Sequence, residues 1–343
     1  MRTAELFEPR KFRLTEGTAQ KPGPGEIQLR IHAVGICGSD MHDFSEGRVG
    51  DTVCQYPMVL GHEPTGVVVS TGPGVTGWAP GDRAALEPAV YCYHCEFCLS
   101  GRHNICEHVR FHSSPADPGF FRETANLPAS NVLPLPAGIG FREGTLFEPL
   151  AVVLHSMKFA AIRPLDTAAV FGAGPIGLMT IALLKMCGAG RVFSVEPVAH
   201  RREMAKALGA DAVIDPSQVD ASREILNATG TRGVDVTMDC ATKDDTLDQC
   251  VMATRNGGRM VVTGIPVEVR VPLQWHTARR KELTIYNVRR SAHESEAALA
   301  LLRDYPGRFA PILTHTYPLE KVQPAFEMLE QFSDGAGKVV IQP

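Results

Sequence analysis

Nine cysteines stand in a chain of 343 residues, and four of them crowd together. The stretch "YCYHCEFCLSGRHNIC" sets Cys92, Cys95, Cys98 and Cys106 at C-x2-C-x2-C-x7-C spacing. Four thiolates this near one another can complete a tetrahedral shell around Zn²⁺, and a complete shell leaves no position for a substrate. A structural zinc is expected there. An iron–sulfur cluster would also take four thiolates, but nothing else in the sequence points to electron transfer.

A second group is spread along the chain. Cys37 lies in "AVGICGSDMH", His62 and Glu63 in "VLGHEPTGVV", and Glu148 in "LFEPLAVVLH". Each stands in a turn marked by Gly or Pro. A set of S, N and O donors with one position kept for water or substrate is what a catalytic zinc requires. Taken alone, Ser39 and Asp40 read as capping residues of a turn after a strand.

The third group is "AAVFGAGPIGL", where Gly172, Gly174 and Gly177 form G-x-G-x-x-G between an apolar strand-like run and an apolar helical one. Glu196 closes the next strand-like run, at the distance a dinucleotide fingerprint requires. Gly172 would permit the tight turn, Gly174 the approach of a pyrophosphate, and Gly177 close helix–strand packing. The helix opening at Pro175 and Ile176 would turn its N-terminus toward the phosphates. Glu196 would accept from the adenosine ribose hydroxyls and repel a 2′-phosphate, which favours NAD over NADP. Arg201, with His200 and Arg202, follows closely; these are either partners for such a phosphate or the solvated face of a helix. Thr263, Gly264 and Val288, at the ends of two later strands, complete the candidate cofactor contacts.

These residues need elements to hold them. The first part of the chain is β-rich: "EIQLRIHAVGI", "GVVVSTG" and "DRAALEP" are strand-like runs separated by Gly- and Pro-rich turns, which suggests a small barrel or partly open β-domain. Near Leu150 the pattern changes. "LAVVLHSMKFAAI" has helical spacing, and strands then alternate with helices from "AAVFGA" to "ELTIYNV", predicting a doubly wound parallel sheet. The last fifty residues, with helix "SEAALALLRD" and strand "KVVIQP", are expected to return to the first domain. The resulting boundaries are 1–150 with 290–343 for the β-rich domain, including a cysteine lobe at about 88–110, and 151–289 for the Rossmann domain. The fold class is α/β.

Composition narrows the functions. Hydrophobic residues make up 44% and charged residues 21%, and the formal charge is −4. Without a basic excess, nucleic-acid binding has no electrostatic support. "MRTAELFEPRKFRL" has charges where a signal peptide needs an apolar core, so a cytoplasmic protein is expected. The uncharged run Thr167–Leu184 is long enough to raise a membrane helix, but "GAGPIG" interrupts it, and strand, turn and helix fit better.

Together, "GICGSDMH", "GHEPTGVV", the four-cysteine spacing, "FEPLAVVLH" and "GAGPIG" occur in the order and at the spacings of the zinc-dependent medium-chain dehydrogenases, which the whole chain resembles. Within them it is most similar to the sorbitol (polyol) dehydrogenase branch. The resemblance implies a GroES-like catalytic domain around an inserted Rossmann domain. It also implies catalytic zinc held by Cys37, His62 and Glu63, with Glu148 as fourth ligand or as the residue holding a zinc-bound water. Ser39 would meet the substrate hydroxyl, His42 would pass its proton on through the cofactor ribose, and Asp40 would orient His62. The implied reaction is oxidation of a secondary alcohol by hydride transfer to NAD, in a homodimer or homotetramer. Phe111, Arg122 and Arg290 are the candidate substrate contacts. The family's tyrosine after that arginine is Ser291 here, so a modified polyol or sugar acid is as well supported as sorbitol. Alternatives are a threonine dehydrogenase, which shares the ligand set, a quinone reductase-like protein, which lacks it, and a non-catalytic NAD-binding protein that keeps the fold.

Overall fold

The structure is a computed structural model that describes residues 1–243 and 245–343. Its contacts divide the chain into two bodies, Met1–Ala151 with Ala292–Pro343, and Val152–Ser291.

The first body opens with the antiparallel hairpin β1 (Arg2–Glu8) and β2 (Lys11–Glu16). Strand β3 (Glu26–Gly35) follows, with Ile27, Leu29 and Ile31 buried in strict alternation, the period of a strand with one covered face. A helix, α1 (Gly38–Glu46), stands where the sequence suggested only a turn. Then come β4 (Glu63–Thr71), β5 (Arg83–Leu86), β6 (Thr124–Pro128) and β7 (Val132–Pro134). Between β5 and β6, residues Ala89–Val90 pair with Arg110–Phe111 and close the base of the cysteine lobe. Helix α2 (Phe147–Ala160) carries the chain from the first set of residues into the second.

The second body alternates as its sequence predicts: β8 (Thr167–Phe171), α3 (Pro175–Met186), β9 (Arg191–Val195), α4 (Ala199–Leu208), β10 (Ala212–Ile214), α5 (Ala221–Ala228), β11 (Val234–Asp239), α6 (Thr246–Ala253), β12 (Thr254–Val262) and β13 (Thr284–Asn287). The sheet order is β10-β9-β8-β11-β12-β13, all parallel, the order of a dinucleotide-binding Rossmann sheet. Its core joins Phe171, Phe193, Ile225, Val234, Cys250 and Met260. The uncharged run from Thr167 is thus divided between β8 and α3, and no helix among the described residues is long and apolar enough to cross a membrane.

The chain then returns to the first body with α7 (Ser295–Asp304), β14 (Leu313–Pro318), α8 (Val322–Glu330) and β15 (Lys338–Gln342). Strand β15 pairs antiparallel with β3, Val340 opposite Gly35. The sheet order becomes β7-β5-β4-β3-β15-β14, with β6 also on β3. Phe326 of α8 lies 5.0 Å from Phe44 of α1 and 4.8 Å from Phe12 of β2, ring centre to ring centre, in one core with Leu29, Phe120, Phe121 and Ile341. Phe12 is half-buried, while Phe44, Phe120, Phe121 and Phe326 are fully buried; a fully buried ring contributes about 1.5–3 kcal/mol, so the C-terminal segment is held in this body by its own core residues.

Candidate metal centre and cofactor site

Helix α1 begins at the first candidate ligand. Cys37 is its N-cap, and the Cys37 N–H donates to Asp40 Oδ2 at 2.9 Å, a third-position acidic residue reaching back over the first turn. Gly47, with φ 68°, ends the helix in the left-handed conformation that glycine adopts without strain. The other carboxylate oxygen of Asp40 faces a different turn. It accepts from Gly61 N–H at 3.1 Å and lies 3.3 Å from His62 Nδ1. One carboxylate therefore ties together the turns that carry Cys37 and His62.

With Nδ1 facing Asp40, the other ring nitrogen of His62 faces the candidate metal position, with Ser39 Oγ 3.5 Å away. Donor atoms of Cys37, His62 and Glu63 all lie within 4.8 Å of one another. Glu63 Oε2 is buried without a hydrogen-bond partner among the described residues. A buried orphan carboxylate oxygen is costly, and a cation among these three donors would satisfy it. His62 titrates well above the ordinary histidine range; burial opposes this, but Asp40 and Cys37 raise it. Asp40 is held below the usual carboxylate range: burial opposes the shift, and the charge of His62 drives it. The surroundings of His62 thus favour positive charge, and the donor set is one that Zn²⁺ accepts.

Glu148 is not among those three donors. It is buried at the start of α2, and its carboxyl is pushed up to about 8, first by burial, with His62 opposing and Glu63 adding to the rise. Lys338, which sequence reasoning missed, is fully buried; its Nζ donates to Glu63 Oε1 and to the carbonyl of Ile36 at 3.0 Å. Glu63 and Gly35 are paired across β4 and β3, and a Cβ on Gly35 would stand 1.9 Å from Glu63 Oε2. Glycine is needed there to leave room for the carboxylate.

In the cysteine lobe, the Sγ atoms of Cys92 and Cys98 are 3.8 Å apart, those of Cys95 and Cys106 3.9 Å, and those of Cys92 and Cys106 3.5 Å. A tetrahedron with Zn–S of about 2.3 Å has edges of about 3.8 Å, so the four sulfurs fit a closed zinc shell. The backbone N–H of Cys98, with other turn amides, lowers Cys95 to about 6, toward the thiolate that a metal binds, while burial and the neighbouring thiols push Cys98 up to about 12, so the four share protons as a group.

In the second body, Gly172 has φ 91°, and a Cβ on Gly177 would meet the Gly172 carbonyl oxygen at 1.8 Å. Nothing lies within 4 Å of the corresponding position on Gly174, so the loop leaves open the space through which a pyrophosphate would approach. Pro175 and Ile176 begin α3, whose N-cap Gly174 has no side chain to satisfy the first amides. Glu196 accepts from Ala173 N–H at 2.6 Å and Val198 N–H at 2.9 Å, one through each oxygen. It braces the glycine loop, and each oxygen retains acceptor capacity for a ribose hydroxyl. Arg202 is committed locally, to the carbonyls of Glu196 and Pro197 and to Asp215. Arg201 is shifted down by burial, against the charge of Glu196. Thr263 and Gly264 donate their amides to the Asp239 carbonyl, and Val288 donates to Val262, placing all three at the carboxyl ends of the strands.

Among the substrate candidates, the half-buried Phe111 packs on His62 with ring centres 5.2 Å apart. Arg122 belongs to the first body, lies near Phe120 and is shifted down to about 10 by burial. Arg290 belongs to the second body, half-buried with φ 53° just past β13. His42 stands one turn after Ser39 on α1, its Nδ1 held by Glu46 at 2.5 Å.

Residues 23–137 match the alcohol dehydrogenase GroES-like domain family and residues 175–304 the zinc-binding dehydrogenase family. The chain is 32% identical to the sorbitol dehydrogenase of Bacillus subtilis (strain 168) over 343 residues, covering 100% of this chain and 97% of that one. It is 39% identical to the Gallus gallus sorbitol dehydrogenase over 322 residues, covering 92% and 89%. The crystal structure of L-idonate 5-dehydrogenase from Escherichia coli str. K-12 substr. MG1655 superposes with a TM-score of 0.91 at 26% identity, covering 100% of this chain and 98% of that one. The chain belongs to the zinc-dependent medium-chain dehydrogenases. Within them it is of the sorbitol dehydrogenase type, an alcohol or polyol oxidoreductase that works with zinc and NAD.

Proposed function

We propose that the chain oxidises a secondary hydroxyl of a polyol or sugar derivative at a zinc held by Cys37, His62 and Glu63. The observation that carries this reading is the convergence of those three donors around a buried carboxylate oxygen that has no other partner among the described residues. Zn²⁺ at those donors would supply Lewis acidity toward the substrate oxygen, and NAD held by the Gly172–Gly177 loop and Glu196 would supply the hydride acceptor. The protein contributes position and a proton path. Ser39 Oγ, beside His62, takes the substrate's hydroxyl proton as it releases its own toward His42. His42, oriented by Glu46, passes it toward solvent. Glu148 supplies a second buried carboxyl, as a fourth ligand or as the acceptor that holds a water. Phe111 covers the imidazole of His62 and keeps water from that side, and Arg290 contacts substrate hydroxyls. Glu196 reads the ribose. The first body acts as catalytic domain and the second as cofactor domain, with boundaries at Ala151 and Ala292 where the sequence placed them at 150 and 290, in a cytoplasmic homodimer or homotetramer whose mass in solution can be measured.

With Ser291 in place of a tyrosine, the substrate extends beyond sorbitol, and a sugar acid such as the L-idonate of the named relative falls within the same chemistry. The test is a panel of polyols, sugar acids, threonine and simple alcohols, each with NAD and NADP. Polyols or sugar acids with NAD should give kcat/KM at least about tenfold above threonine or ethanol, a margin of about 1.4 kcal/mol. Preferred turnover of threonine would contradict the assignment.

A further inference from the structure

We propose that Ser113 is a positioning residue for the metal centre, holding Asp40 so that Asp40 holds His62; this rests on the reading of His62 as a zinc ligand. Ser113 lies in the segment that follows the cysteine lobe, is buried, and donates its hydroxyl to Asp40 Oδ1 at 3.1 Å. That oxygen is the one beside His62 Nδ1. Its other hydrogen bond comes from the amide of Gly61, the residue before His62. Ser113 thus supplies the side-chain hydrogen bond to the oxygen that orients His62.

Two further observations bear on the residue. Ser113 has φ 80°, a left-handed conformation that glycine adopts freely and a residue with a Cβ rarely does. A side chain kept at such a position commonly marks a functional constraint. The segment around it is also fastened to the site at several points. Ser113 and Ser114 donate their amides to the Asp117 carbonyl, and Arg110 pairs with the Asp117 carboxylate. The amides of Gly119 and Phe120 donate to the carbonyls of Val59 and Gly61, and Phe111 packs on the His62 ring. The stretch 110–121 therefore wraps the turn that carries His62, and Ser113 is where it touches the carboxylate behind the imidazole. Partners of this kind tune metal affinity as well as ligand orientation.

The experiment measures zinc retained per chain against chelator concentration, together with melting temperature, in the zinc-loaded wild type, Ser113→Gly and Ser113→Ala. Glycine removes the hydroxyl and relieves the backbone; alanine removes the hydroxyl and keeps the strain. Both variants should release the more labile zinc at about tenfold lower chelator, retain the cysteine-lobe zinc, and lose kcat with the KM for NAD unchanged. Ser113→Gly should melt no lower than the wild type, a combination that a merely structural role would not give. Zinc release as in the wild type for both variants would overturn the proposal, as would weakening in the alanine variant alone. A wild type that holds only the cysteine-lobe zinc would instead overturn the reading of the Cys37 site on which it rests.

Discussion

Asp40, which binds no metal in this account, connects more of the site than any single ligand. One of its oxygens caps the helix that starts at Cys37; the other takes Gly61 N–H and the Ser113 hydroxyl and faces His62. Lys338 plays a comparable part for Glu63, compensating a carboxylate that is fully buried. Removing one partner of such a pair leaves an uncompensated charge in a buried site. In chelator-treated protein, Lys338→Met should lower unfolding stability by about 3–5 kcal/mol, read from the denaturant midpoint, and the double variant with Glu63→Gln should recover part of the loss. Cys37, His62 and Glu63, whose donor atoms the fold brings together, were legible in the sequence because their residue types are metal donors beside Gly- and Pro-marked turns; Glu148, read with them, stands buried at the start of α2 outside that cluster. Lys338 and Ser113 were not, because a lysine opening an apolar strand and a serine in a Pro-rich loop carry no donor pattern; only the folded backbone brings them to the site.

At the scale of elements, α1 was hidden by its own chemistry. Its buried face is Asp40, Asp43 and Phe44, so the apolar period that betrays an amphipathic helix is mostly written in carboxylates. The back-reaching Asp40 and the terminal Gly47 were the signals available. The alternating elements of the second body were read almost in full, because parallel strands covered on both faces are continuous apolar runs with sharp glycine turns. Asp43 shows what a buried carboxylate does to α1. Burial pushes it up to about 6 from 3.8, with the Cys54 thiol donating to it and opposing the rise. A carboxyl whose folded pKa is raised stabilises the fold most when protonated, below its unfolded value, and that contribution fades as pH climbs through about 6. Asp43→Asn should therefore be more stable than wild type above pH 7, by up to about 2–3 kcal/mol at 1.36 kcal/mol per unit, and the gap should close below pH 4; thermal melts across that range check it. At the end of β9, Glu196 braces the glycine loop, and the proposal gives it the reading of the ribose as well. Glu196→Gln should lower the NAD-to-NADP preference in kcat/KM about tenfold, about 1.4 kcal/mol. An unchanged ratio would leave Glu196 with the bracing role alone.

At the scale of the molecule, the site of the first body is closed by a segment from the far end of the chain. Lys338 meets Glu63 across 275 positions of sequence, because β15 pairs with β3 on one side while β4 pairs with it on the other. This return of the C-terminus is why the motif order, and not local pattern alone, carried the functional reading: donors scattered along the chain mean little until a fold with a known order brings Cys37, His62 and Glu63 together. The substrate stayed out of reach for a related reason. Phe111 and Arg290 belong to different bodies, and the hydroxyl pattern they would read is set by side chains with no motif of their own. The central claim is that each chain holds two zinc ions in separate sites, one closed by four cysteines and one open for chemistry at Cys37, His62 and Glu63. The most direct measurement is zinc content per chain in the wild type and in Cys37→Ser, with far-ultraviolet circular dichroism to verify folding. The account predicts two in the wild type and one in a folded, inactive variant; a single zinc in fully loaded wild type, or two zinc ions and retained turnover in Cys37→Ser, would contradict it.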